Sequence, residues 1–170
     1  DITLDGTKED YEKLRKQYPH LSIEECEYSC AGAEFYMKLL KHQGFMIHAS
    51  AVEKEGKAYL FSAPSGTGKS THAQLWRQTF KGEPIRIIND DKPAVCLQNG
   101  VFYACGTPFS GKTDKNENRK APIQGLCMLH RGKTNKIQKI TSGEALPLIL
   151  PQTLFYGDEE EKIGRASCRE

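Results

Sequence analysis

No apolar run in this 170-residue chain approaches the roughly 20 residues that a membrane-spanning helix needs, and the opening Asp1-Ile2-Thr3-Leu4-Asp5 has no signal-peptide character. The expectation is therefore a cytoplasmic protein without a membrane partner. A large charge of one sign is also lacking: 24 Lys and Arg stand against 22 Asp and Glu, a formal net charge of +2. That balance supplies no electrostatic footprint for a nucleic acid. A second cysteine pair is missing too: Cys26 and Cys30 stand four apart, a spacing that can bind metal, but no other pair completes a zinc site. Of the six cysteines Cys168 falls in the last eight residues; Cys26, Cys30, Cys96, Cys105 and Cys127 are an odd, scattered set that reads as reduced thiols, with Cys26 and Cys30 packed in or beside a helix. Low-complexity segments and internal repeats are absent. With 38% hydrophobic and 27% charged residues, the chain suits one soluble core of ordinary size.

An initiator Met is likewise missing, and the last eight residues, Ile163-Gly164-Arg165-Ala166-Ser167-Cys168-Arg169-Glu170, read as the translation of a sequencing adapter. The expected organisation is an N-terminal helical segment over 1–44, a nucleotide-binding core over 45–162 and a non-native tail over 163–170. Without Arg165, Arg169 and Glu170, 22 basic and 21 acidic residues leave a net charge of +1.

What the chain does have is Ser62-Ala63-Pro64-Ser65-Gly66-Thr67-Gly68-Lys69-Ser70-Thr71, set between the β-rich run Ala58-Tyr59-Leu60-Phe61 and a helical spacing at Ala73, Trp76 and Phe80. Glycines at 66 and 68 let the backbone curl so that amides point at an anion, and the positive end of the next helix adds to them. Ser65, Gly66, Thr67, Gly68, Lys69, Ser70 and Thr71 are the expected phosphate-binding residues, with Lys69 as a point charge and the Ser70 hydroxyl as a metal ligand. The strict pattern G-x-x-x-x-G-K-[ST] is met except at Ala63, where the first glycine would stand.

Twenty-one positions beyond Lys69 comes the doublet Asp90-Asp91, at the end of the apolar run Ile85-Arg86-Ile87-Ile88. Phosphoryl transfer needs oxygen ligands for a divalent cation and a group to deprotonate or orient the nucleophile, and two carboxylates at a strand end can supply both. His48, in Ile47-His48-Ala49-Ser50-Ala51, taken alone is a core histidine.

Elsewhere the patterns predict a short helix around Tyr11 to Tyr18, a helix from about Cys26 to Gln43 capped at Gly44, and strands over 45–52 and 57–63 joined by Glu53-Lys54-Glu55-Gly56. A hairpin turns at Asn99-Gly100 with Leu97 opposite Phe102. A long polar loop fills 106–120, carrying Lys112, Lys115, Arg119 and Lys120: a solvated loop, a lid that closes over the γ-phosphate or a binding loop that grips an acceptor. A strand pair over 123–130 and 136–140 and a helix around 145–154, opened by Thr141-Ser142-Gly143-Glu144, complete an α/β domain: a mixed sheet with flanking helices around one strand, P-loop, helix unit.

His48, the Ser65-to-Thr71 loop and Asp90-Asp91, in that order, resemble the superfamily of HPr kinase/phosphorylase and phosphoenolpyruvate carboxykinase over residues 45–131. The resemblance implies ATP and Mg²⁺ (or Mn²⁺) as cofactors and Lys69 on the phosphates. It further implies Ser70 and Asp91 at the metal, His48 supporting the metal or the aspartates, and Asp90 as base, so that Asp90, Asp91, Lys69 and His48 form the catalytic set. The implied activity is transfer to a serine hydroxyl of a small protein or peptide, by a protein of a group that often forms homo-oligomers. The chain departs from HPr kinase at Tyr103-Ala104-Cys105-Gly106-Thr107-Pro108, where that family has a glutamate. Two rival readings are a non-catalytic nucleotide-binding module of a peptide-modification system and a simple ATPase or GTPase.

Overall fold

The structure is a computed structural model describing residues 2–153, and it divides into two compact units. The proposed tail and residues 154–162 lie outside the described residues. In the first unit, up to His42, helix α1 (Lys8–Gln17) packs on helix α2 (Ile23–Leu39), and each starts with a capping box, Thr7 with Asp10 and Ser22 with Glu25. Leu14 and Cys26 are their most enclosed apolar side chains. A single 3-10 turn over Leu40–His42 follows α2, and the left-handed residue that ends it is Gln43 (φ 55°), one position before the expected Gly44, which instead opens a strand.

The second unit, Gln43–Leu154, holds a seven-stranded mixed sheet. Its strands are β1 (Gly44–Met46), β2 (Ala49–Lys54), β3 (Lys57–Ser62), β4 (Arg86–Asn89), β5 (Ala94–Gln98), β6 (Val101–Cys105) and β7 (Lys120–Met128), in the order β1-β5-β6-β7-β3-β2-β4. Among the described neighbouring strands, β3 and β7 pair parallel and the other five pairs are antiparallel. Helix α3 (Lys69–Thr79) follows β3 through the glycine-rich loop, and α4 (Ser142–Ile149) comes late in the unit.

Two-residue turns with positive φ at both positions, Glu55-Gly56 and Asn99-Gly100, close the β2/β3 and β5/β6 hairpins, and Leu97 does face Phe102. Side chains alternate along β2 and β3 between two cores. Ala49, Ala51, Ala58 and Leu60 join Ile88, Val95, Ala104 and Ala121 from four other strands, so the sheet curls round one core. On the opposite face Val52, Phe61 and Ile87 pack with Ala73 and Trp76 of α3. Trp76, the one tryptophan, stacks among Tyr59, Phe61 and Phe80.

Three expectations are corrected. The strand expected over 45–52 is two strands: β1 leaves to pair with β5, while β2 pairs with β3 and β4, and Ile47-His48 forms the break. The strand expected over 136–140 is irregular chain. Its apolar residues Ile137 and Ile140 are exposed, so alternation there has no core to serve. The loop over 106–119 is not merely solvated: Thr107, Phe109 and Ser110 are buried, and its backbone pairs with β4 through Glu117 N to Ile88 O (3.0 Å). The last helix keeps its Thr141/Glu144 capping box but ends at Ile149, and a 3-10 turn over Leu150–Gln152 carries Pro151.

Candidate functional site

Strand direction assembles the site. Because β2 is antiparallel to both of its neighbours, β3 and β4 run the same way with β2 between them. The C-terminal ends of β3 and β4 and the N-terminal end of β2 therefore share one sheet edge. Registers Ala49↔Ser62 and Ala51↔Asn89 put His48, the loop after Ser62 and the doublet after Asn89 together there.

On the loop side, Pro64-Ser65-Gly66-Thr67 forms a turn closed by Thr67 N to Pro64 O (3.3 Å), with Gly66 at φ 74°. Gly68 (φ 116°) precedes α3, and no side chain caps the helix, so its first amides face the loop without a side-chain competitor. Both glycines occupy conformations that any Cβ would strain. Lys69 is buried and bends back along the loop, donating from Nζ to Ala63 O at 3.1 Å. Burial depresses its pKa, and the carboxylates of Asp91 and Asp90 oppose that shift in part. Ser70 sits half-buried in the first turn of α3, with Thr71 exposed beside it.

On the acid side, Asn89 builds the turn. Its Oδ1 accepts from the amides of Asp91 (2.9 Å) and Lys92 (2.7 Å), while its Nδ2 donates to the carbonyls of Thr107 and Phe109. Asp90 is 2% exposed; its amide donates to Lys115 O, and its Oδ1 accepts from the Ser50 hydroxyl at 2.7 Å. Its Oδ2 is buried with no hydrogen-bond partner, which for a carboxylate oxygen is a costly arrangement. Asp91 Oδ1 faces His48 Nε2 at 3.2 Å, and Lys92 Nζ lies 3.7 Å from Oδ2. Gly111 (φ 64°) closes over the same carboxylate, where a Cβ would come within 2.8 Å of Oδ2. Desolvation pushes the Asp91 pKa up, but the His48 hydrogen bond, with the charges of Lys92, His48 and Lys69, outweighs it and holds the carboxyl below the usual aspartate range.

His48 is held from two sides. Its amide donates to Gln152 O (2.6 Å), and Nδ1 lies 3.2 Å from Gln152 Oε1. Both ring nitrogens are therefore engaged, one on a carboxylate and one on an amide.

Of the residues singled out in the sequence, His48, Lys69, Asp90, Asp91 and the Ser65-to-Thr71 loop meet at this edge. Asn89, Ser50 and Gln152 were not singled out. Asn89 had a readable signal, an Asn two positions before a polar residue in a turn. Gln152 had none, since it reaches His48 across 104 positions. All five described cysteines are free, and no described helix is long and apolar enough to cross a membrane.

The depressed Asp91 pKa makes a stability prediction. A carboxyl whose folded pKa lies below its unfolded value contributes stability above about pH 4 that is lost as pH falls through the folded value. Urea midpoints read from Trp76 fluorescence fall over that acid window in the parent, and the fall is shallower in Asp91→Asn. Identical slopes would mean that Asp91 is not held by its neighbours.

No family model and no curated protein matches the chain. Among solved structures, the Hpr(Ser) kinase/phosphatase from Coxiella burnetii is similar at 12% identity with a TM-score of 0.41, over 56% of this chain and 65% of that one. The chain thus spans less than two thirds of that protein, and the functional reading rests on the geometry of the edge.

Proposed function

We propose that the chain is an ATP-dependent phosphotransferase of the HPr kinase-like kind, transferring the γ-phosphoryl group to a serine hydroxyl of a small protein or peptide. One observation carries the reading: Asp90, buried at the edge shared with the glycine loop, keeps a carboxylate oxygen without a partner. An acceptor oxygen placed there is what a general base at this edge needs.

In this reading the loop amides and the uncapped start of α3 hold the phosphates, and Lys69 leaves Ala63 O for them, exchanging a neutral acceptor for an anionic one. Asp90 takes the proton of the acceptor hydroxyl as the oxygen–phosphorus bond forms and the bond to the bridging oxygen of ADP breaks. Asp91 and Ser70 offer oxygens to Mg²⁺ (or Mn²⁺), and His48 fixes Asp91 rather than spending a ring nitrogen on metal. Carboxylate and hydroxyl oxygens are the donors that suit a hard divalent cation brought with phosphates. The cation would supply charge neutralisation at the phosphate oxygens. The serine acceptor and any self-association come from the motif resemblance alone.

The test is γ-labelled ATP with Mg²⁺ added to an extract of the source organism together with the parent or Lys69→Ala. Label on a discrete small protein with the parent, and none with Lys69→Ala, is the expected result. Release of label solely as inorganic phosphate favours the ATPase reading, and nucleotide binding without turnover favours the binding module.

A further inference from the structure

The parallel pairing of β3 with β7 delivers a residue to the glycine loop that the reading above does not use. With Ser62 in register with Met128 and Leu129 N donating to Ser62 O (2.8 Å), the chain leaving β7 runs beside the chain leaving β3. Three residues past Met128, Arg131 donates from Nη2 to the carbonyl of Gly66. That carbonyl belongs to the same peptide group as the Thr67 amide, whose N–H closes the turn onto Pro64 O. The Gly66–Thr67 peptide is thus gripped on both sides, by an arginine outside the loop and by a turn within it.

We infer that Arg131 is a positioning residue for the phosphate loop, clamping the Gly66–Thr67 peptide and with it the Pro64–Thr67 turn that shapes the cradle. The need for a clamp follows from composition. Two glycines three residues upstream of Lys69 or closer give the loop freedom at φ that other residues lack, and an unrestrained peptide between them flips at little cost. An amide plane held by its carbonyl cannot flip without losing a charge-assisted hydrogen bond. Arg131 itself is exposed, so its removal leaves no cavity and no buried charge. The inference rests on the loop's being a phosphate site, but the clamp can be measured without nucleotide.

The experiment uses the full chain as parent, Arg131→Ala and Arg131→Lys. Without ligand, amide exchange at Thr67 accelerates about tenfold in Arg131→Ala, with the melting temperature unchanged, and the Arg131→Lys variant keeps part of the protection. Calorimetric titration with Mg²⁺ and a non-hydrolysable ATP analogue, and separately with ADP, shows affinities weakened by the same factor, about tenfold, because the defect lies in the loop and not at one phosphate. Unchanged exchange at Thr67 overturns the clamp, as does weakening confined to the triphosphate, which would make Arg131 a ligand of the terminal phosphate. If the parent binds neither nucleotide, the functional reading fails while the exchange result still decides the clamp.

Discussion

Replacing Asp90 by asparagine lowers phosphoryl transfer by about 10²–10⁴-fold and leaves nucleotide affinity within a few-fold of the parent. The substitution keeps volume and shape at a residue that is 2% exposed, so the backbone tie to Lys115 O and the bond from Ser50 survive on the remaining oxygen. What changes is the other atom. Oδ2 is buried and unpartnered, and an amide nitrogen in its place donates where the proposed reaction needs an acceptor. Asp91→Asn is the control that separates roles. Asp91 faces His48 and Lys92, so its loss weakens binding in the presence of Mg²⁺ more than it slows transfer of bound nucleotide. Single-turnover label transfer at saturating ATP, with affinity measured separately, distinguishes the two. An Asp90→Asn protein with parental transfer would end the assignment of Asp90 as base, and one that lost Mg²⁺-dependent binding would exchange the roles of the two acids.

The sequence exposed the parts of this edge that are built from neighbours in the chain. The loop from Ser65 to Thr71 and the Asn99-Gly100 turn are legible because positive φ restricts such positions to glycine and a few polar residues. The acid doublet is legible because a run of Ile residues ends there in polar side chains. Longer-range choices were not. Nothing local in Phe45 to Val52 says that β1 departs to pair with β5, fifty residues on, leaving His48 at a break rather than inside a strand. Gln152, which holds that histidine, lies in a turn after α4 whose only local message is Pro151. The 106–119 loop misled for a related reason. Its polar side chains suit solvent, but Thr107 and Asn116 spend theirs on carbonyls and hydroxyls of the fold, satisfying groups that would otherwise be buried without partners.

Gly106→Ala lowers stability by about 3 kcal/mol, the upper end for overpacking a filled space. A Cβ at this position would sit 1.8 Å from the carbonyl oxygen of Glu117 and 2.9 Å from that of Ile88. Both are backbone atoms, so no side chain can turn aside to make room. The strain is relieved only by moving residues 115–119 off the end of β4, and those residues carry the bonds from Glu117 N to Ile88 O and from Asp90 N to Lys115 O. A single methyl group thereby loosens the wall behind the proposed base. Transfer falls together with stability, whereas Asp90→Asn affects transfer alone. Gly125→Ala in β7 is the matched control, since a Cβ there meets only Tyr59 at 3.9 Å, an ordinary contact, and removes backbone freedom from the unfolded chain. Urea titration followed by Trp76, which lies in the same unit, measures both variants. Equal midpoints for Gly106→Ala and Gly125→Ala would show that the 106–119 loop is not seated on β4, and with it would go the explanation of how Asp90 is held at the sheet edge.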